Sequence, residues 1–186
     1  MTPSDSNPYA SRGGLKLEAA LDAFSLDPAG LTCVDLGCSV GGFTDCLLQR
    51  GAARVFAVDT AYGQLAWKLR NDERVTVMER SNALYTAPAA ACGLAVADLG
   101  WTRQERLVPV ALDWLEPGGR IITLVKPHYE AGRHPLEDDE AERVAREVLS
   151  VMPTLGVEVH GCIRSPIRGG KGGNLEFLAL LRPTPT

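Results

Sequence analysis

The 186 residues predict a doubly wound α/β fold, a mostly parallel seven-stranded sheet with helices on both faces and an antiparallel last strand. Three observations predict it. Short apolar runs alternate with segments whose apolar residues recur at helical spacing, the pattern of a sheet wound on both sides. The first run ends in an acid and a glycine cluster, as a buried parallel strand does where it feeds a loop. The last two runs have no helix between them, so they pair antiparallel at one edge.

Residues 1–12, rich in Pro, Ser and Asn, read as a mobile lead-in to a single domain over 13–186. Leu17, Ala20, Leu21 and Phe24 form the stripe of a first helix over 13–24, with Lys16 beside it. A strand over 31–36 leads into the glycine loop, and residues 42–50 form a helix that Gly51 stops. A strand over 54–59, a helix over 63–70 and strands over 75–78 and 93–98 follow; residues 82–92 are too short and Pro-broken for a helix. Residues 103–115 are helical despite Pro109, and Glu116-Pro117-Gly118-Gly119 is a turn before a strand over 120–125. Pro135 and an acidic cluster open a helix to about Met152, the acids suiting the positive end of its dipole. Strands over 157–163 and 175–181 close the sheet, separated by the loop 168–174.

Apolar residues make up 45% and charged residues 23%, the balance of a folded globular chain. Five cysteines, odd in number and without a C-x-x-C pair, fit reduced, packed thiols and offer no metal site. The N-terminus lacks a signal peptide, and no apolar run approaches the roughly 18 residues of a membrane span, so the expected compartment is the cytoplasm. The net charge of −4 argues against nucleic acid until it is placed. Residues 137–147 hold six acids against Arg143 and Arg146, and the rest of the chain is balanced. Near the last strand, Arg164, Arg168 and Lys171 against Glu176 suggest a local phosphate contact.

The strongest local signal is Val34-Asp35-Leu36-Gly37-Cys38-Ser39-Val40-Gly41-Gly42-Phe43. It is not the G-x-G-x-x-G of dinucleotide enzymes. Backbone N–H groups of the loop, Gly37, Ser39 and Gly42 among them, near a helix start, can hold a carboxylate. Asp35 can face an ammonium, or the loop itself. Asp59, at the end of the next strand, can accept both hydroxyls of a ribose. Amino-acid tail, ribose and base together describe S-adenosylmethionine; a nicotinamide dinucleotide and a purely structural turn with helix-capping aspartates are the alternatives. Lys16, Asp98, Lys126 and Glu176 are all expected at the same rim, where ligands of doubly wound sheets bind. A ribose hydroxyl is a weak nucleophile that must be aimed and relieved of its proton, a task such a set suits.

Ser11-Arg12-Gly13-Gly14-Leu15-Lys16-Leu17, Gly41 to Leu48, Tyr62 to Arg70, Val125-Lys126-Pro127 and Gly173 to Phe177 together resemble the TlyA branch of the FtsJ-like RNA 2′-O-methyltransferases. The resemblance implies a Rossmann-like class I methyltransferase fold and S-adenosylmethionine as donor. It also implies a Lys-Asp-Lys-Glu tetrad at Lys16, Asp98, Lys126 and Glu176, and cofactor contacts at Gly41, Phe43, Asp59, Asn82 and Asp98. The implied substrate is RNA, ribosomal RNA first, met directly or through a partner protein or ribosomal subunit. The branch carries an N-terminal S4-type RNA-binding domain, for which 186 residues leave no room. Methyl transfer to a small-molecule hydroxyl and a non-catalytic cofactor-binding module are the competing functions.

Overall fold

A computed structural model describes residues 7–170 and 173–185. Strand β1 (Thr32–Leu36) lies at the middle of a seven-stranded sheet. It pairs in parallel with β2 (Arg54–Val58) on one side and β4 (Cys92–Ala97) on the other. Strand β3 (Val75–Met78) extends the first side and β5 (Leu115–Val125) the second, both parallel. Strand β7 (Phe177–Pro183) inserts antiparallel between β5 and β6 (Val157–Arg164), so the order is β3-β2-β1-β4-β5-β7-β6. The last strand is antiparallel as expected, but β6 is the edge. The order reverses between β1 and β4, and a crevice opens there beyond their carboxyl ends.

Alternation along the strands sorts the core into two layers. Cys33, Val55 and Ala57 pack with Leu17, Leu21, Cys46 and Leu47 of helices α1 (Gly13–Ala23) and α2 (Gly42–Gln49). Val34, Leu36, Phe56 and Val58 pack on the opposite face with Leu107, Val108 and Ala111 of α4 (Gln104–Asp113) and Ala141 and Ala145 of α6 (Asp138–Ser150). Trp114 fills the second layer, tilted against Phe56 with ring centroids 5.8 Å apart.

Several elements differ from the sequence expectation for visible reasons. The helix expected over 63–70 is only α3 (Trp67–Arg70), because Gly63 has φ +72° and Ala66 is extended. The expected turn at 116–119 lies within β5, where Leu115 pairs with Cys92 across a register shift. A short helix α5 (Pro127–Glu130) follows β5, with Pro127 at its first turn. Glu176 precedes β7, its backbone oxygen accepting from the Ser165 amide at 2.9 Å.

Of the expected mobile lead-in, residues 1–6 lie outside the described residues, while 7–12 are built into the domain. Tyr9 is buried, its hydroxyl 2.7 Å from Glu18 Oε1, and the Ala10 amide donates to Asp45 Oδ2 at 2.7 Å. The two glycine pairs make room for this segment. A Cβ on Gly14 would lie 2.3 Å from the Tyr9 ring, and one on Gly42 2.2 Å from Ser11 Oγ.

Candidate active site

The loops after β1, β2, β3 and β4 enclose a cavity of about 540 Å³ lined by Gly37, Ser39, Asp59, Asn82 and Asp98. Its geometry is set by backbone donors meeting carboxylates. Asp59 Oδ2 accepts from the Ser39 amide at 2.7 Å and Oδ1 from the Ala61 amide at 2.8 Å. Ionised, that carboxylate keeps lone pairs for a ligand. Asn82 uses its Oδ1 to cap the Leu84 amide at 3.0 Å. Gly37, at φ +93°, runs against the chain after β4, and a Cβ there would lie 2.7 Å from the Asp98 carbonyl oxygen. A smaller cavity of about 270 Å³ continues from Gly37 and Ser39 to Gly42, Phe43 and Lys16.

Asp35 and Gly41, both expected at the cofactor, line neither of these cavities. Asp35 alternates with Val34 and Leu36, so its side chain enters the α1–α2 layer. It is fully buried there, with Thr44 Oγ1 donating to Oδ2 at 2.7 Å and Oδ1 unpartnered. Burial pushes its carboxyl up to about 7. Gly41, at φ +100°, starts α2 against α3: a Cβ would meet Leu69 Cδ1 at 2.3 Å. Its role in this structure is close packing. Cys38 is buried among the acids of the loop, and burial pushes its thiol up, away from nucleophilic use.

The tetrad assembles from four separate segments. Lys16 Nζ on α1 meets Glu176 Oε2 at 2.6 Å, with side chains 10% and 5% exposed. Lys126 Nζ at the end of β5 meets Asp98 Oδ1 at the end of β4 at 2.5 Å, and donates to the Leu99 carbonyl at 3.2 Å. Gly169 lies against the Glu176 carboxylate so closely that a Cβ would fall 2.0 Å from Oε1. All four side chains line a larger cavity of about 790 Å³. Asp98 belongs to this cavity and to the two smaller ones, so it marks the junction.

The far wall of the larger cavity is aromatic. Trp101, at φ +55° and exposed, stacks on Tyr129 with centroids 4.8 Å apart and an interplanar angle of 28°. His128 lies 4.1 Å from Tyr129 and 5.8 Å from His134, centroid to centroid. Sequence reasoning missed Trp101 and His134, since nothing in a loop's composition says which wall it will form. Glu130 turns away and caps α4, accepting from the Gln104 amide at 2.8 Å. The expected phosphate contacts near the last strand also change. Arg168 pairs with Asp138 at 2.6 Å and Arg164 with Glu142, while Lys171 lies outside the described residues.

Known proteins share this arrangement of chain. The Bacillus subtilis protein YqxC is 43% identical over 181 residues, covering 91% of this chain and 64% of that protein. The 16S/23S rRNA (cytidine-2′-O)-methyltransferase TlyA of Mycobacterium tuberculosis is 42% identical over 184 residues, covering 94% of this chain and 68% of that enzyme. This chain thus spans about two thirds of the length of each. A solved structure from Streptococcus thermophilus superposes with a TM-score of 0.91 at 40% identity, covering 98% of this chain and 70% of that one. The model of the FtsJ-like methyltransferase family matches residues 9–181, the span that holds both lysine–carboxylate pairs and the glycine loop, and the chain belongs to that family.

Proposed function

We propose that the protein transfers a methyl group from S-adenosylmethionine to the ribose 2′-hydroxyl of a cytidine in ribosomal RNA. The observation that carries this reading is the assembly of two lysine–carboxylate pairs around one cavity, beside a second cavity large enough for a nucleoside and edged by Asp59. The cytidine and the ribosomal RNA come from the printed name of the Mycobacterium tuberculosis relative. No helix among the described residues is long and apolar enough to cross a membrane, which suits work on ribosomes in the cytoplasm.

The residues present fit such a donor. Asp59 can accept the ribose hydroxyls, Asn82 and the loop after β4 flank the space for the base, and Gly37, Ser39, Gly42 and Phe43 lead to the space for the amino-acid end. When bound, S-adenosylmethionine supplies an electrophilic methyl on a sulfonium that leaves as a neutral thioether. The chain's own residues must then aim one hydroxyl. Lys126 has an N–H left after pairing with Asp98 and Leu99, and it donates to the hydroxyl oxygen to direct a lone pair. The Asp98 carboxylate, paired with Lys126 through Oδ1, takes up the proton of that hydroxyl as its oxygen gains the methyl group. Lys16 and Glu176 hold the wall opposite, each balancing the other's buried charge.

Incubating the full chain with bacterial ribosomal RNA and methyl-labelled S-adenosylmethionine, then mapping ribose methylation, tests the reading. A new 2′-O-methylcytidine that Lys126→Ala fails to produce is the expected result. Label found only in a small-molecule fraction would overturn it.

A further inference from the structure

The larger cavity has a charged end and an aromatic end, and the reading above uses only the charged one. A ribose held at Lys126 and Asp98 shares its cavity with Trp101 and Tyr129, which leaves that wall to the base. Stacking on aromatic rings binds any base, because every base has a π-face. Discrimination needs an edge contact, and one residue of that wall has an unused polar atom. His128 is only 8% exposed, its side chain makes no hydrogen bond among the described residues, and its Nδ1 is buried without a partner. We propose that His128 reads the Watson–Crick edge of the target base by donating from Nε2 to a ring-nitrogen acceptor, selecting cytosine over uracil. The assignment rests on the proposed RNA methylation and deepens it.

The physics lies in the tautomer. Burial and the neighbouring His134 and Lys126 lower the imidazole's affinity for a second proton, so the ring is neutral. A neutral imidazole has one N–H. On Nδ1 that hydrogen would be an orphaned buried donor, which costs more than an unfilled acceptor. The proton therefore sits on Nε2, the nitrogen left to the cavity that His128 lines. Cytosine presents N3 as an acceptor to such a donor. Uracil presents N3–H, and meeting it would require moving the histidine proton onto enclosed Nδ1. The ring's position is fixed from outside the site, because Pro127 starts α5 and Glu130 ties α5 to α4.

The test uses transcribed ribosomal RNA carrying cytidine or uridine at the position the wild-type chain methylates. Wild type should favour cytidine by about 10- to 100-fold in kcat/KM, the range one unmatched buried hydrogen-bonding group supports. His128→Phe keeps a ring but no N–H, and should bring the ratio to within about threefold. His128→Gln, which can turn either a donor or an acceptor to the base, should do the same and covers the case where the phenyl ring does not fit. Unaltered binding of S-adenosylhomocysteine by the variants shows that they are folded. A cytidine preference that survives both substitutions overturns the assignment, as does wild-type enzyme that methylates both nucleotides equally. A wild-type chain that methylates no RNA overturns the functional reading itself, and the assignment with it.

Discussion

The two sides of the crevice are built by different means. Beside β1 and β2, the Asp59 carboxylate is gripped by the amides of Ser39 and Ala61, and Asn82 caps the amide of Leu84 two residues on. These are neighbours in sequence or loops of adjacent strands. Beside β4 and β5 the contacts are between charged side chains from distant segments: Lys16 and Glu176 are 160 residues apart, and Lys126 at the end of β5 pairs with Asp98 at the end of β4. The first side tolerates change because backbone donors remain when a side chain is lost. The second does not, because removing either partner leaves a buried charge alone.

That contrast predicts unequal responses to mutation. Lys126→Ala should lower methyl transfer by about 10²-fold or more, the cost of losing the donor that aims the reacting hydroxyl. Binding of S-adenosylhomocysteine, measured calorimetrically, should stay within a few-fold, since Lys126 does not line the 540 Å³ cavity. Equal loss of both would merge the two sides into one. Glu176→Ala should destabilise the fold by about 3–5 kcal/mol by leaving Lys16 buried and unpaired. The double substitution Lys16→Met with Glu176→Leu should cost less than the single one; a double that melts lower would show that the pair itself stabilises the fold.

On the other side, Asp59→Ala should weaken cofactor binding by about 10- to 100-fold, the range for hydrogen bonds to a charged group. At saturating cofactor, turnover should recover to within a few-fold of wild type. Failure to recover would mean that the loop after β2 also positions the reacting atoms.

Behind this same side lies Asp35, and its effect depends on pH. In the unfolded chain its carboxyl ionises near its ordinary value of 3.8, whereas burial holds the proton up to about 7 in the folded state. Between those values the folded chain binds more protons than the unfolded one, so the contribution of Asp35 to stability falls as pH rises from about 4 to about 7. Three units amount to at most about 4 kcal/mol. Asp35→Asn keeps a partner for Thr44 without the ionisation, so its melting temperature relative to wild type should climb between pH 5 and pH 8. A difference that is flat with pH would refute the buried, protonated carboxyl.

The same contrast explains what was legible in the sequence. The strands, the glycine loop and Asp59 are local, and their spacing alone placed them beside the crevice. Periodicity could also have placed Asp35: it alternates with Val34 and Leu36, which fixes its face, but the motif around it drew attention to the ligand. Gly41 and Gly42 carry no mark distinguishing a cradle from a packing contact, since the segments that crowd them, at Leu69 and Ser11, come from elsewhere in the chain. The tetrad was legible from the strand ends and topology as well as from the motifs of its family resemblance, and the structure brings its four side chains around one cavity. Of the aromatic wall, His128 and Tyr129 follow Lys126 directly and were legible as cleft residues. Trp101 and His134 were not, because they lie in loops whose partners are set by the finished fold.

The smallest expected effect concerns charge at the mouth of the 270 Å³ cavity. The sequence offered Arg164 and Arg168 as free cations, yet both are engaged by the acidic start of α6, through Glu142 and Asp138. The acidity of residues 137–147 therefore faces the basic stretch and neutralises it locally. Asp138→Asn releases the Arg168 guanidinium, which lies at the edge of the cavities beside Ile167 and Gly170. Such exposed pairs contribute little to stability, so the melting temperature should not move. RNA affinity at low salt should rise by about twofold, and the added affinity should vanish as salt screens a phosphate contact. If affinity instead falls, Asp138 holds Arg168 where RNA needs it, and the ion pair is part of the docking surface.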